Sequence, residues 1–178
     1  MTVELHGLNL GWLGGDDDEA DQCAHGAVHL CVDGQILVGP DDGELTVSAA
    51  GLYLLRTLET DHVVGDALTD PDHNQLFPCC GHSVFAGDDR CVIVGCATGV
   101  DVWVRTKGDV VTLQRGDISA TVSRAEWREA VLGFVGQVDS FYAASSSRDA
   151  IEDAAEAAGW QMFWAEWKQR VSTAAATL

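Results

Sequence analysis

The chain begins with segments in which apolar and polar residues alternate, at residues 3–12 and 27–39. Such a period of two predicts half-buried β-strands. Asp33-Gly34 divides the second segment, and Asp-Gly between two apolar runs predicts a tight hairpin. From residue 91 onward, four short β-rich runs are separated by ATG, KG and RG, which predicts an antiparallel meander.

The apolar period changes to that of a helix in three regions. Val47, Leu54, Leu55 and Leu58 form one stripe and predict a helix that is capped by Thr46 or Ser48. The sequence SRAE at residues 123–126 is a capping box, and it predicts a long amphipathic helix after it.

The C-terminal region predicts two further helices. Ser146 and Asp149 form a second capping box, and Gly159 has the position of a C′ glycine, so a short alanine-rich helix is expected between them. The last helix has an aromatic stripe, which is more typical of a core face than of a partner-binding face. Its members are Trp160, Phe163, Trp164, Trp167 and Val171.

The order of these elements predicts an α+β fold, because most of the strands come before most of the helices. We expect an antiparallel sheet of about six to seven strands with helices packed on one face, followed by a C-terminal helical segment. The length of 178 residues suits one domain spanning residues 1–178. Mobile acidic loops are expected near residues 13–22 and 61–75.

The formal net charge is −18, from 28 acidic and ten basic side chains. Such a charge should repel nucleic acids and anionic lipids, so neither a nucleic acid nor a membrane is expected as a partner. Two explanations remain open. The surplus of aspartate and the scarcity of lysine are typical of a halophilic or high-GC organism, which composition alone favours. The alternative is a basic protein partner.

The sequence shows neither the pattern of an export signal nor that of a membrane span, which indicates a cytoplasmic protein. The N-terminal residues have no basic segment leading into an apolar one, and the longest weakly polar run is too short to span a bilayer. Six cysteines without signs of export suggest reduced thiols that are packed in the core. The oligomeric state is left open by the sequence.

The segment LFPCCGHSVF at residues 76–85 is the first candidate for chemistry. Cys80 and His82 are a close pair of possible metal ligands or a possible nucleophile and base, with Cys79 beside them. No Cys-x-x-Cys pair accompanies them. Cys91 and Cys96 would point to opposite faces of a regular strand. Packed thiols are therefore the favoured interpretation, and no metal or other cofactor is expected.

A second candidate is the row Cys23, His25, His29 and Cys31, which shares one face of the strand if the strand extends back to residue 23. Zinc binds through such side chains. Strand residues rise by about 3.3 Å each, however, so at most two members of the row could share one ion.

Several segments together resemble a group of small uncharacterised bacterial proteins. They are GLNLGW, PCCGH, VGCATGVDVWV and FYAASS followed by GWQMFWAEW. Some proteins of this size and build are immunity partners of secreted toxins, so the resemblance implies a binding role and no particular functional residue.

The sequence as a whole predicts a non-catalytic acidic protein that binds a macromolecular partner, with an immunity-type protein that masks a basic toxin as its most concrete form. The alternative is a small zinc- or thiol-dependent enzyme centred on Cys79, Cys80 and His82. Catalytic and partner-binding residues are not assigned by the sequence.

Overall fold

The computed structural model describes residues 2–16, 18–63, 75–80, 83–95 and 98–176. These residues form the strands β1 (Val3–Gly11), β2 (His25–Val32), β3 (Gln35–Val38), β4 (Leu45–Thr46), β5 (Phe77–Pro78), β6 (Ser83–Ala86), β7 (Cys91–Val94), β8 (Gly99–Val100), β9 (Trp103–Lys107), β10 (Val110–Arg115) and β11 (Ile118–Ser123). The helices are α1 (Val47–Thr57), α2 (Arg124–Ala144) and α3 (Ala154–Ala176). The predicted α+β class, with antiparallel strands and a C-terminal helical segment, is confirmed.

The N-terminal sheet has the order β1-β2-β3, and β4 also pairs with β2. β1 lies at the edge of this sheet, and its strand structure is the one that its alternating pattern predicts. The β2–β3 hairpin turns at Asp33 and Gly34, whose φ angles of 46° and 83° are the positive values that a two-residue hairpin turn needs. Asp and Gly tolerate these angles better than other residues, so the sequence signal and the turn agree.

The other strands form three further sheets instead of joining one sheet of six to seven strands. The predicted meander of four runs is formed by β9, β10 and β11 alone, because the first run, β7, pairs with β6; β5 pairs with β8. β5 and β8 have two residues each, and β6 and β7 have four. Strands of this length offer few ladder hydrogen bonds, so each pair is stabilised by the helices that cover it rather than by a continuous sheet.

Helix α1 lies in the centre of these layers. Each of its residues from Val47 to Thr57 is buried. The helix is therefore packed on all sides, whereas the sequence predicts a single apolar stripe. A methyl group added at Gly51 would come within 2.6 Å of the ring of Trp167. Glycine therefore permits α3 to approach α1 at this point, because any Cβ would overlap the indole.

The capping box before α2 is formed as predicted. The hydroxyl oxygen of Ser123 accepts a hydrogen bond from the backbone N–H of Glu126 at 3.1 Å, and the Glu126 carboxylate accepts from the backbone N–H of Ser123 at 2.9 Å. The buried residues of α2 have the spacing of one face of the predicted amphipathic helix: Trp127, Val131, Phe134, Val135 and Val138.

The prediction of a separate short helix between Ser146 and Gly159 is wrong. Residues 146–153 are not helical, and α3 begins at Ala154 with the carboxylate of Asp153 accepting from the backbone N–H of Glu156 at 2.8 Å. Gly159 is buried inside α3, and a side chain there would overlap the backbone carbonyl of Val84 in β6. The glycine serves close approach between a helix and a strand, a requirement that the local sequence does not reveal.

The aromatic stripe of α3 packs in the core, as expected, apart from two members, Trp164 and Val171, which are half-buried. Trp160, Phe163 and Trp167 are buried. Trp164 is only half-buried, and its ring lies against the ring of Tyr142 with a centroid distance of 4.8 Å. The stripe therefore joins α3 both to the core and to the C-terminal end of α2.

A buried ion pair joins α1 to α3. The guanidinium of Arg56, 1% exposed, donates to both carboxylate oxygens of Glu166 at 2.9 and 3.0 Å and to the carbonyl of Cys91 in β7 at 2.8 Å. Arg170 adds a third hydrogen bond to Glu166 at 2.8 Å. Burial alone would raise the pKa of Glu166, but the hydrogen bonds and charges of Arg56 and Arg170 outweigh it and lower that pKa to about 2.

Replacing Trp167 should cost far more stability than replacing its half-buried neighbour. We expect Trp167→Ala to lower the free energy of unfolding by about 3–5 kcal/mol, the range for deletion of a large buried aromatic side chain. Trp164→Ala should cost about 1–2 kcal/mol, because it removes ring contacts at the periphery. Urea unfolding measures both values, and equal losses would contradict this description of the stripe.

Removing one partner of the ion pair should be more costly than removing both. Arg56→Met should lower the free energy of unfolding by about 3–5 kcal/mol, because it leaves the Glu166 carboxylate buried without its main partner. In the double variant Arg56→Met/Glu166→Leu, much of that loss should be recovered. Chemical denaturation of the two variants and the wild type checks this order.

The ion pair should also contribute to acid sensitivity. The pKa of Glu166 is about 2 in the folded chain and 4.5 in the reference state, so the unfolded chain takes up this proton first as the pH falls. Stability from this carboxylate is therefore complete above pH 4.5 and is lost between pH 4.5 and 2. The double variant should show a shallower loss over this interval, and an unchanged pH dependence would contradict the assignment.

Candidate functional site

Within the first candidate segment, Leu76, Phe77 and Val84 belong to the apolar core, whereas Cys79 and Cys80 are half-buried and lie outside it. Cys79 and Cys80 follow β5, and their sulfur atoms lie 3.9 Å apart. The sulfur of Cys79 is 2.7 Å from the hydroxyl oxygen of Thr98, and its backbone N–H donates to the carbonyl of Thr98 at 3.1 Å. His82 lies outside the described residues. The Cys80–His82 pair, as a metal site or a nucleophile with its base, therefore stays a prediction.

Cys91 has a structural environment. It is fully buried, its backbone N–H donates to Glu166 at 3.2 Å, and its carbonyl accepts from Arg56. Cys96, its possible partner in metal binding, lies outside the described residues. No disulfide joins the five cysteines that the structure describes.

The second candidate row is divided by the fold. His29 is half-buried in the middle of β2, where its Nε2 lies 3.7 Å from the carboxylate of Glu4. Cys31 is buried near the end of the same strand. His25 is the first residue of β2 and Cys23 precedes it, so the strand does not extend back to residue 23. At this point the structure adds an acidic residue, Asp21.

Asp21, Cys23 and His25 form a cluster of three possible metal ligands. A carboxylate oxygen, the sulfur and a ring nitrogen lie within 4.8 Å of one another. Residues 21–24 precede β2 and include a bend at Cys23, and this local course of the chain brings the three side chains together. Cys23 and His25 are 1% and 2% exposed, and the carboxylate of Asp21 is the outermost of the three groups.

Backbone hydrogen bonds fix the carboxylate of Asp21. One oxygen accepts from the backbone N–H of Cys23 at 3.0 Å, two residues ahead, in the pattern of an Asx turn. The other oxygen accepts from the backbone N–H of Leu13 at 2.9 Å. The carboxylate is thus held next to His25, with 3.5 Å between Oδ2 and Nε2.

Tyr142 of α2 fixes the backbone on both sides of Cys23. Its hydroxyl donates to the carbonyl of Gln22 at 2.7 Å and accepts from the backbone N–H of Ala24 at 3.1 Å. On the other side, His25 is the register partner of Thr46 in β4. The cluster is therefore positioned by two strands and by a helix more than a hundred residues later in the chain.

The environment of Cys23 is unfavourable for a thiolate in the absence of a cation. Burial raises the pKa of the Cys23 thiol well above its usual range, and the negative charges of Asp21 and Glu156 raise it further. A nucleophilic cysteine needs the opposite shift. The cluster therefore has the composition of a Cys-His-Asp catalytic group without the electrostatics of one.

The Thr46 hydroxyl connects the two candidate segments. It donates to the carbonyl of Cys79 at 3.4 Å, while Thr46 itself pairs with His25 across β2 and β4. Cys80 is also close enough to Cys23 that a thiolate at Cys80 would raise the pKa of Cys23. The half-buried thiols thus lie beside the buried cluster, although the chain places more than fifty residues between them.

His62 and Asp101 form a pair that the sequence analysis did not single out. His62 is buried, and its Nε2 lies 2.7 Å from Oδ1 of Asp101. The same carboxylate accepts from the backbone N–H of Leu76 at 3.2 Å and from the indole N–H of Trp103 at 3.1 Å. The backbone of His62 also bridges Val104 in β9. These contacts tie three chain segments together, which is a structural role.

A cavity of about 570 Å³ lies between the C-terminal ends of α1 and α3 and the N-terminal end of α2. Arg124, Arg128 and Arg170 line it together with Glu59 and Asp109. Arg170 already donates to Glu59 at 2.9 Å and to Glu166. The acidic side chains offset the arginines, so the cavity has no clear preference for an anion.

The signal for Asp21 was present in the sequence as the spacing Asp-x-Cys-x-His at residues 21–25. Residue 21 falls within the predicted mobile acidic loop at 13–22, where a carboxylate is expected to be solvated and not to act as a ligand. Its side chain is in fact held by two backbone N–H groups.

The buried and half-buried thiols should react at different rates. In the native protein, alkylation followed by mass spectrometry should label Cys79 and Cys80 first, because reagent can reach them. Cys23, which is buried and has a raised pKa, should be labelled only after unfolding. Labelling of Cys23 as fast as that of Cys79 would contradict the described environment.

None of the helices in the described residues combines the length and apolarity that a bilayer-spanning segment needs. No protein-family model, curated protein or solved structure matches this chain.

Proposed function

We propose that this chain is a non-catalytic binding protein that docks a basic protein through one strongly acidic end of the fold. The observation that carries the proposal is the meeting of two acidic segments, which we call the acidic end. Its carboxylates are those of Asp16, Asp18, Glu19, Asp21, Asp149, Glu152, Asp153 and Glu156.

Hydrogen bonds hold the two segments side by side. The backbone N–H of Asp149 donates to the carbonyl of Glu19 at 2.8 Å, and the side chain of Gln22 donates to the carbonyl of Asp149 at 3.1 Å. Because the side chains of Glu19, Asp149 and Glu152 are exposed, their charges face solvent. Acidic side chains held this closely repel one another, and a cationic partner relieves that repulsion.

Arg148 is the basic residue within these segments, and its contacts are internal. Its guanidinium lies 3.9 Å from the ring centroid of Trp12 and donates to the backbone carbonyl of Asp18 at 2.7 Å. The arginine therefore acts as a clamp between the segments. Its single charge offsets only a small part of the negative charge around it.

The acidic end differs from the surface that the acidic segments at 16–21, 41–44 and 66–72 would suggest from the sequence alone. Loop 41–44 contains Asp42, which is paired with Arg115 at 2.6 and 2.8 Å, and residues 66–72 lie outside those described. The segment 149–156 comes next to residues 16–21 only through folding. Complementary charge on a partner would speed association and select against other acidic proteins.

An immunity-type protein that masks a basic toxin is the most specific form of this proposal. Masking requires tight binding and no chemistry, which suits a surface of fixed charge on a stable scaffold. The high negative charge of the whole chain also favours rapid encounter with a cationic target.

The test uses two variants of equal charge. The patch variant Glu19→Gln/Asp149→Asn/Glu152→Gln removes three exposed charges of the acidic end. The control variant changes the same residue types at other exposed positions: Glu44→Gln/Asp117→Asn/Glu129→Gln. Both triple variants and the wild type are used for affinity capture from cells of the source organism at low ionic strength.

We expect a basic protein to be retained by the wild type and the control variant and to be depleted by the patch substitutions. For the purified pair, the patch variant should weaken Kd by about tenfold, or about 1.4 kcal/mol, with most of the change in the association rate. Binding should weaken with added salt for the wild type. Equal loss in both variants, or no basic partner at low ionic strength, would contradict the proposal.

A further inference from the structure

We propose that Asp21, Cys23 and His25 bind one zinc-type divalent metal ion. Neither the cysteine pair at 79–80 nor the acidic end as a docking surface requires this site. It is carried by the positions of the three side chains and by the chemistry of their donor atoms.

The geometry is close to that of a tetrahedral site. A zinc ion about 2.1 Å from a nitrogen and an oxygen ligand at the tetrahedral angle separates them by about 3.4 Å. His25 Nε2 and Asp21 Oδ2 lie 3.5 Å apart, which is longer than the ~2.9 Å of an ordinary N–H···O hydrogen bond. All three donor atoms lie within 4.8 Å of one another, so small side-chain rotations complete a shared site.

The donor set selects the class of metal. A thiolate, an imidazole and a carboxylate are the three ligand types that zinc uses in proteins. Calcium and magnesium prefer sites built from oxygen atoms alone, and a sulfur ligand disfavours them. Binding requires that Cys23 lose its proton to solvent and that His25 bind as neutral imidazole. The two anionic ligands then balance the charge of a divalent ion.

The surrounding contacts orient the ligands before a metal arrives. The backbone N–H groups of Leu13 and Cys23 direct the carboxylate of Asp21. The hydroxyl of Tyr142 holds the carbonyl before Cys23 and the N–H after it. Such outer contacts contribute to affinity because they reduce the cost of arranging the ligands on binding.

The site has three protein ligands, so a tetrahedral ion keeps one position for water or a small anionic ligand. Asp21 is the outermost ligand, since its side chain is 12% exposed while that of His25 is 3% exposed. Asp21 itself belongs to the acidic end, whose negative charge raises the local concentration of cations near the site.

The first experiment measures metal binding to the full chain. Protein is treated with chelator, separated from it and titrated with Zn²⁺ against a competing indicator, and the bound metal is counted by mass spectrometry. One zinc per chain is expected, with a higher melting temperature of the loaded protein. Titration with Co²⁺ should give the ligand-field spectrum of a tetrahedral site and a thiolate-to-cobalt charge-transfer band.

Variants with matched controls on the same strand identify the ligands. Cys23→Ser and His25→Gln should each weaken zinc binding by more than the ~100-fold that an outer-shell partner can contribute. Cys31→Ser and His29→Gln remove the same side-chain types farther along β2 and should leave the affinity unchanged. The charge-transfer band should be absent for Cys23→Ser and present for Cys31→Ser.

Asp21→Asn keeps the proposal testable if substitution of a buried residue prevents folding, because Asp21 is the outermost ligand and its amide replacement is isosteric. It should weaken zinc binding while far-ultraviolet circular dichroism stays that of the wild type. Failure of the wild type to bind zinc stoichiometrically overturns the proposal, as does equal loss of affinity in the control variants. The docking proposal is unaffected by that result, because its test changes none of these three residues.

Discussion

The guanidinium of Arg56 and the carboxylate of Glu166 meet in a region where both side chains are almost completely removed from water. Bringing two charges into such a place is costly unless each finds well-placed partners. The pair meets that condition because it is bidentate and because the backbone of Cys91 supplies a donor and an acceptor beside it. Apolar packing alone tolerates small shifts of a helix, whereas this arrangement fixes α1, α3 and β7 relative to one another.

The position of the acidic end follows from this constraint. With α3 fixed on α1, its N-terminal part packs against β6 at Gly159, and the segment before it meets the loop at 16–21 where Asp149 donates to Glu19. Trp164 and Tyr142 then bring α3 against the end of α2, and Tyr142 in turn holds the backbone around Cys23. The candidate metal cluster and the candidate docking surface are thus consequences of the same helix packing.

Features set by a few neighbouring residues could be predicted from the sequence, such as the Asp33-Gly34 hairpin, the Ser123–Glu126 capping box and the buried face of α2. Features that depend on distant contacts could not. Gly159 has the local appearance of a helix end, yet it lies inside α3 because β6 passes against it.

The candidate site shows the same division between local and distant determinants. The spacing of Cys23 and His25 in the sequence indicates two possible metal ligands, and the rise of a strand limits the row of residues 23–31 to two ligands for one ion. Asp21 was not foreseen as a ligand, because an acidic loop normally remains solvated. Its placement depends on the N–H of Leu13 and on a tyrosine about 120 residues later.

The scarcity of basic residues connects these observations. The chain has ten basic side chains, and the contacts of Arg56, Arg115, Arg148 and Arg170 are with carboxylates or carbonyls of the fold itself. Cations that stabilise the interior cannot also neutralise exposed acids, so the acidic end retains most of its charge. Asp21 belongs both to this end and to the buried cluster. A divalent ion bound there would neutralise the carboxylate nearest the core while leaving the exposed ones at 19, 149 and 152 for a cationic partner. The two proposals therefore use different carboxylates of one surface, divided by their depth in the fold.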